Sequence, residues 1–288
     1  MIDAMHADRR MPIRTGGGTG DLSGALLAVA LLVRLADCAC AGEVLPSAGD
    51  VMRHVIERAR AVAGANQGAP YVYECRSLRE HLDAADRPVK SEEKLYEVTL
   101  VAGIPCNRLV GIRGRELNAE ELQREQAKEE KFQRRFVAAD RSRLAARREA
   151  LVTPELLARY EFTVKERTLL NNRSTLVLTF KPRPGNLPSK AIQDRLLNRM
   201  GGTLWIDETD YDTARLAVGL VEPLSLGWFG WVGALSRFDL SVDRQRMPDG
   251  VWVNTRMAIL IQARKLASAL RIRVTESSSG FRRLKVEP

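Results

Sequence analysis

Apolar residues recur at helical spacing between Ser47 and Ala65, where Val51, Val55, Ile56, Ala59 and Val62 fall on one side. This predicts a helix that stops at Gly64, Asn66, Gly68 and Pro70. Alternation then takes over. Tyr71 to Leu82, Val89 to Val101 and Asn107 to Gly111 read as three strands of a meander, with Tyr96, Val98 and Leu100 alternating against charged neighbours. A helix-length segment follows, Glu116 to Glu149, in which 17 of 34 residues are charged. Asn118 and Glu121 form a capping box, and Leu122, Phe132, Phe136, Val137 and Leu144 make a stripe that would dock on one side. Thr153 and Pro154 open a short helix.

The remainder is mostly strand. Phe162 and Val164, then Leu176, Leu178 and Phe180, alternate around Asn171-Asn172. Ser189 to Met200 reads as a helix between Pro-rich and Gly-rich breaks. Leu204 to Asp207, Ala214 to Val221, Phe238 to Val242, Val251 to Ile261 and Leu270 to Val274 follow as successive strands, with Leu270, Ile272 and Val274 inward and Arg271 and Arg273 outward. The expected fold is α+β: about ten antiparallel strands in a sheet that twist forces to curl into an incomplete β-barrel. Helices would pack in and around it, and the long charged helix at 116–149 would keep one face in water.

The chain starts differently. Arg9, Arg10 and Arg14 precede an apolar run from Leu22 to Val33 and small residues at Ala39-Cys40-Ala41, the order of a secretory signal peptide over residues 1–41, with Met11 an alternative start. Export to the periplasm or the outer-membrane periphery is therefore expected. Leu35-Ala36-Asp37-Cys38 resembles a lipobox, although Asp37 stands where a small residue is usual. The leader's Arg and Asp residues balance, so the mature segment 42–288 keeps the formal charge of +9. That charge suits anionic lipid surfaces, and export excludes a nucleic-acid partner. Cys75 and Cys106, on the first and third strands of a meander, would lie about 10 Å apart, too far for a disulfide unless a loop brings them together.

The residues of catalysis are sparse. Only His54 and His81 remain after the leader, and no zincin, nucleophile-elbow, Walker or metal-ligand spacing occurs, so no enzyme, metal or cofactor is expected. His81 with Glu80 and Asp83 could form an acid–base trio, or a solvated hairpin end. Two other segments stand out. The first is Leu204-Trp205-Ile206-Asp207 returning through Tyr211 and Arg215-Leu216, a hairpin whose Trp205 and Ile206 take opposite faces. Its order resembles the LolA/LolB-like superfamily of periplasmic lipoprotein carriers, with Pro248-Asp249-Gly250-Val251-Trp252 a second echo. The resemblance covers residues 47–288 in element order, although the small carriers offer no counterpart for the charged helix. It implies an incomplete barrel closed by helices around an apolar cavity that accepts acyl chains. The second segment runs from Pro223 to Leu235. Leu224, Leu226, Trp228, Phe229 and Trp231 read either as a rim touching lipid or the membrane interface, or as a buried hairpin end.

Together these expectations describe a monomeric, non-enzymatic envelope carrier for the acyl chains of a lipoprotein or lipid. The rival is an envelope binding or sensor module that recognises a protein partner.

Overall fold

The computed structural model describes residues 44–64, 70–101, 104–137, 154–185, 187–189, 191–226, 233–265 and 268–284. Residues 1–43 with Cys38, residues 138–149 of the segment expected as the charged helix, and Trp228, Phe229 and Trp231 lie outside the described residues.

Helix α1, Ala48–Gly64, begins where the Ser47 hydroxyl accepts the amide of Asp50 at 3.1 Å, an N-cap that satisfies one of the free donors of the first turn. Strands β1 (Tyr71–Leu82), β2 (Pro88–Val101) and β3 (Ile104–Ile112) form the expected meander, followed by the two-residue β4 (Arg115–Glu116). Helix α2 spans Ala119–Val137, and its capping box is complete: Glu121 N donates to Asn118 Oδ1 and Asn118 N to Glu121, each at 2.9 Å. The short α3 (Pro154–Leu157) leads into β5 (Tyr160–Leu170) and β6 (Arg173–Pro182). Asn171 and Asn172 join these two with φ of 52° and 60°, the left-handed pair that a type I′ hairpin requires.

The helix expected over 189–200 is shorter. Helix α4 spans Ile192–Leu197, because Met200 is drawn into β7 (Met200–Asp207), where it pairs with Leu220 of β8 (Thr213–Leu220). The last strands are β9 (Leu224–Leu226), β10 (Gly233–Arg246), β11 (Trp252–Lys265) and β12 (Ser268–Arg283). Strand β12 runs well past Val274, through the Thr275–Ser279 stretch that has no apolar alternation. Pairing with β1 holds that stretch extended, and Gly280, with φ of 66°, sits at the register shift near Val72 and Glu74.

Among the described residues the sheet has twelve strands, all antiparallel, in the order β4-β3-β2-β1-β12-β11-β10-β8-β7-β6-β5, with β9 hung on β10. Strands β4 and β5 are consecutive in sequence yet stand at opposite ends of the sheet and do not pair, so the barrel is incomplete. Residues Leu45–Pro288 form one unit.

The two ends are treated differently. Helix α2 packs on β3, and the Glu125 carboxylate, in a residue only 9% exposed, accepts the amide of Leu109 at 3.0 Å. A ladder donor left open at the sheet edge is thereby capped by a helix side chain. The inward side of α2 is marked by Glu121, Glu125, Glu129 and Phe132; of the expected apolar stripe Phe132 lies on it, Leu122 is 47% exposed, and the side chains of Phe136, Val137 and Leu144 lie outside those described. The correction has a physical reason: an edge strand offers backbone amides, and carboxylates accept them where leucine cannot. Arg115 forks onto Glu121 at 2.7 and 2.8 Å, which, with the Asn118 amide, pulls that carboxyl down to about 2.

Cys75 and Cys106 are both buried and free. Register places Cys75 opposite Tyr96 and Cys106 opposite Thr99, neighbours three positions apart on β2, so the two thiols take opposite faces of the sheet.

Candidate functional site

Helix α1 covers one end of one sheet face. Val51, Met52 and Val55 pack on Leu176, Leu178 and Ile206, all buried, with Leu204 and Tyr211 at the margin. The same face continues beyond the helix in apolar rows that run across the strands. One row is Leu204, Leu216, Val242 and Met257; the next is Val218, Leu240, Ile259 and Val274; a third is Phe238, Ile261 and Ile272. Every one of these side chains is half-buried. Leu270, expected with them, is 44% exposed, since it is the third residue of β12, paired with Ala263 near the strand end.

The opposite face is polar and small. Thr203, Ala217, Ser241, Ala258 and Thr275 lie in one row, and Trp205, Arg215, Asp243 and Arg256 in the next. A depression of about 480 Å³ crosses β7, β8, β10 and β11 there, walled by Thr203, Ala217, Ser241 and Ala258 on one side and by Asp239, Leu260 and Arg273 on the other.

The Trp205-Ile206-Asp207 hairpin builds the sheet end beside α1. Trp205 points to the polar face, where Arg215 lies 5.6 Å over its ring and pairs with Asp243. Ile206 points the other way into the core, fully buried. Asp207 is also fully buried; Arg173 grips it with two hydrogen bonds at 2.5 and 2.7 Å, and its Oδ1 accepts the amides of Thr209 and Asp210. Tyr211, at φ of 52°, returns its amide to the Asp207 carbonyl and stacks on His54 of α1 with centroids 4.5 Å apart.

Each acidic residue of this turn meets an arginine from another element. Glu208 takes Arg167 of β5 bidentately at 2.7 Å, Asp210 takes Arg246 of β10 and the Trp252 indole N–H of β11, and Asp212 takes Arg58 of α1 and Arg244 of β10. Sequence reasoning marked Asp207 alone among the acidic residues of the turn and missed Glu208, Asp210 and Asp212 with their partners Arg167, Arg173, Arg244 and Arg246; the density of acidic residues between Asp207 and Asp212 was the available signal. Arg167 holds the Glu208 carboxyl below its ordinary value. Burial opposes the same effect at Asp210, but the bonds from Trp252 and Arg246 prevail and its carboxyl also lies low. This cluster ties the turn to five elements and pairs each of its carboxylates with an arginine.

The other sequence candidates disperse. Asp83 accepts the amides of Ala85 and Arg87 and the Arg87 guanidinium, while Glu80 meets Arg273, so the trio with His81 does not converge. Leu224 is 2% exposed, and β9 and β10 pair as a hairpin through Leu226 and Gly233. Leu224 therefore faces inward where β9 pairs with β10.

No family model matches the sequence, and no curated protein does. Solved structures that match include a LolA superfamily protein from Nitrosomonas europaea at 8% identity and TM-score 0.28, covering 85% of this chain and 96% of that one. A Vibrio parahaemolyticus domain named for outer membrane lipoprotein sorting matches at 10% identity and TM-score 0.28, over 81% and 93%. The Pseudomonas aeruginosa MucA/MucB complex matches at 10% identity and TM-score 0.21, over 78% and 94%. At these identities and scores the likeness carries no argument about what the chain is or what it binds.

Proposed function

We propose that this chain is a non-enzymatic binding protein of the cell envelope that shelters acyl chains of a lipid or lipoprotein on the α1 face of its open sheet. The observation that supports it is the set of half-buried apolar rows on β8, β10, β11 and β12, which continue the core face beyond the reach of α1. Apolar burial supplies the affinity: at ~0.8 kcal/mol per methylene, a chain laid over three such rows gains enough to bind without a charged partner. Trp228, Phe229 and Trp231, beyond the β9–β10 base, are proposed as the rim that meets the membrane, and the protein as an exported monomer.

The test is a titration with a fluorescent fatty acid. Leu240→Gln and Ile259→Gln, on the apolar face, are expected to weaken binding at least tenfold, whereas Ala217→Ser and Ala258→Ser, on the polar face, leave it unchanged. Equal binding by all four variants would overturn the assignment. If the fatty acid does not bind and the same face protects from hydrogen exchange only when a co-purifying protein is present, the occupant is a protein partner and the sensor reading replaces the carrier.

A further inference from the structure

The apolar rows of the α1 face end in charge. Followed across the sheet by register, Val218, Leu240, Ile259 and Val274 are succeeded by Arg79 on β1 and Glu92 on β2. The next row, Phe238, Ile261 and Ile272, is succeeded by His81 and then Lys90. Residues directly opposite in an antiparallel pair share a face, so Arg79 and Lys90 stand on the same side of the sheet as the apolar rows. That side is thus covered by α1 at one end and bounded by a basic margin at the other.

The acidic residues of this margin are already engaged. Glu92 pairs with Lys94 at 3.1 Å, and the hydrogen bond from that lysine holds its carboxyl below the ordinary value. Asp83 takes the Arg87 guanidinium at 3.0 Å, and Glu276 accepts the Ser77 hydroxyl at 3.3 Å. Arg79 and Lys90 are exposed and make no ion pair among the described residues. On the opposite face of the same strands arginines do find carboxylates: Arg76 meets Glu93 and Arg273 meets Glu80, each at 3.3 Å. The open cations therefore stand on the apolar side.

Spacing fits an amphiphile. Arg79 and Lys90 are diagonal neighbours of adjacent strands, ~7–8 Å apart, so two long side chains can reach one phosphate, the arginine through forked N–H donors and the lysine as a point charge. From β1 to β8 the sheet order passes β12, β11 and β10, a distance of ~19 Å at ~4.8 Å per step. The acyl layer of one membrane leaflet is ~15 Å deep, half of the ~30 Å hydrocarbon core, so chains of membrane length fit between the margin and α1.

We propose that the occupant of the apolar face is an anionic phospholipid, its acyl chains laid across the rows toward α1 and its phosphate held between Arg79 and Lys90. The inference rests on the acyl-binding reading of that face and adds the headgroup and the direction in which the lipid lies.

Two soluble amphiphiles of one chain length, dodecyl phosphate and dodecyl maltoside, are titrated calorimetrically into the intact chain below their micelle concentrations. The phosphate is expected to bind about tenfold more tightly, the difference that charge-assisted hydrogen bonds supply. Arg79→Gln with Lys90→Gln is expected to abolish that preference and leave maltoside affinity unchanged, since both side chains are exposed. Arg256→Gln with Lys165→Gln removes the same charge from exposed positions outside the margin and is expected to keep the preference. Leu240→Gln weakens both amphiphiles alike. If the parent protein binds the two heads equally, or if the Arg256 and Lys165 pair erases the preference as fully as the Arg79 and Lys90 pair, the phosphate head is overturned while the acyl-binding reading stands. If neither amphiphile binds, that reading falls and the proposal falls with it.

Discussion

Asp207 shows how one carboxylate decides local order. Its side chain is 1% exposed and accepts four hydrogen bonds, two from the Arg173 fork and one each from the amides of Thr209 and Asp210. Asp207→Ala removes them all and leaves Arg173, itself 30% exposed, with Asp210 at 3.7 Å as its remaining partner. The expected loss is about 3 kcal/mol, at the lower limit for breaking a buried pair because Arg173 stays partly solvated. For a domain of this size that corresponds to a fall of roughly 6–12 °C in melting temperature, measurable by calorimetry. The turn also sets an acid limit. Glu208 and Asp210 have carboxyls depressed in the folded chain, chiefly through Arg167 at the first and against burial at the second. Their contribution is therefore complete above the ordinary carboxylate range and is lost as pH falls through and below it. Urea midpoints measured downward from neutrality should hold steady until that range and then drop, and the drop should be smaller in Arg167→Gln, where Glu208 has lost the partner that depresses it. The hairpin letters Trp, Ile and Asp were legible in the sequence, including their opposite faces. The arginines were not, because an exposed strand arginine and one that closes a turn 34 residues away look alike until register aligns them.

Among elements, α2 has the least ordinary role. A helix with carboxylates on its inward side is ill-suited to a hydrophobic core, and it lies instead along the edge strand β3, where Glu125 accepts the Leu109 amide. Edge strands with free ladder groups invite pairing with another chain. Glu125→Ala is expected to speed exchange at Leu109 and neighbouring β3 amides and to raise self-association in sedimentation velocity, while Leu122→Ala, on an exposed face, does neither. Unchanged exchange in Glu125→Ala would show that the helix shields nothing there. The sequence made the helix and its capping box plain because both depend on residues within one turn. It placed Leu122 on the docking side and missed Glu125 there, because hydrophobic periodicity assumes an apolar partner, whereas a sheet edge presents hydrogen-bond donors. The same limit shortened the reading of β12, whose Thr275–Ser279 stretch is extended by its neighbours β1 and β11 and not by its own residues.

At the scale of the whole molecule, alternation along each strand already divided the residues into an apolar set and a polar set, since side chains two apart share a face whatever the strand pairs with. The sequence by itself therefore determined that this is an antiparallel sheet with one apolar face, that an amphipathic helix would cover part of it, and that a Trp-Ile-Asp hairpin would close one of its turns. Tertiary structure decided the rest. Strands β4 and β5, neighbours in the chain, stand at opposite ends of the sheet, and β1 pairs with β12, residues about two hundred positions away, such as Ser77 with Glu276. No local signal encodes such pairings, because they rest on register between strands whose own patterns are equally compatible with other neighbours. For the same reason Val218, Leu240, Ile259 and Val274 became one apolar row only once distant segments were laid side by side.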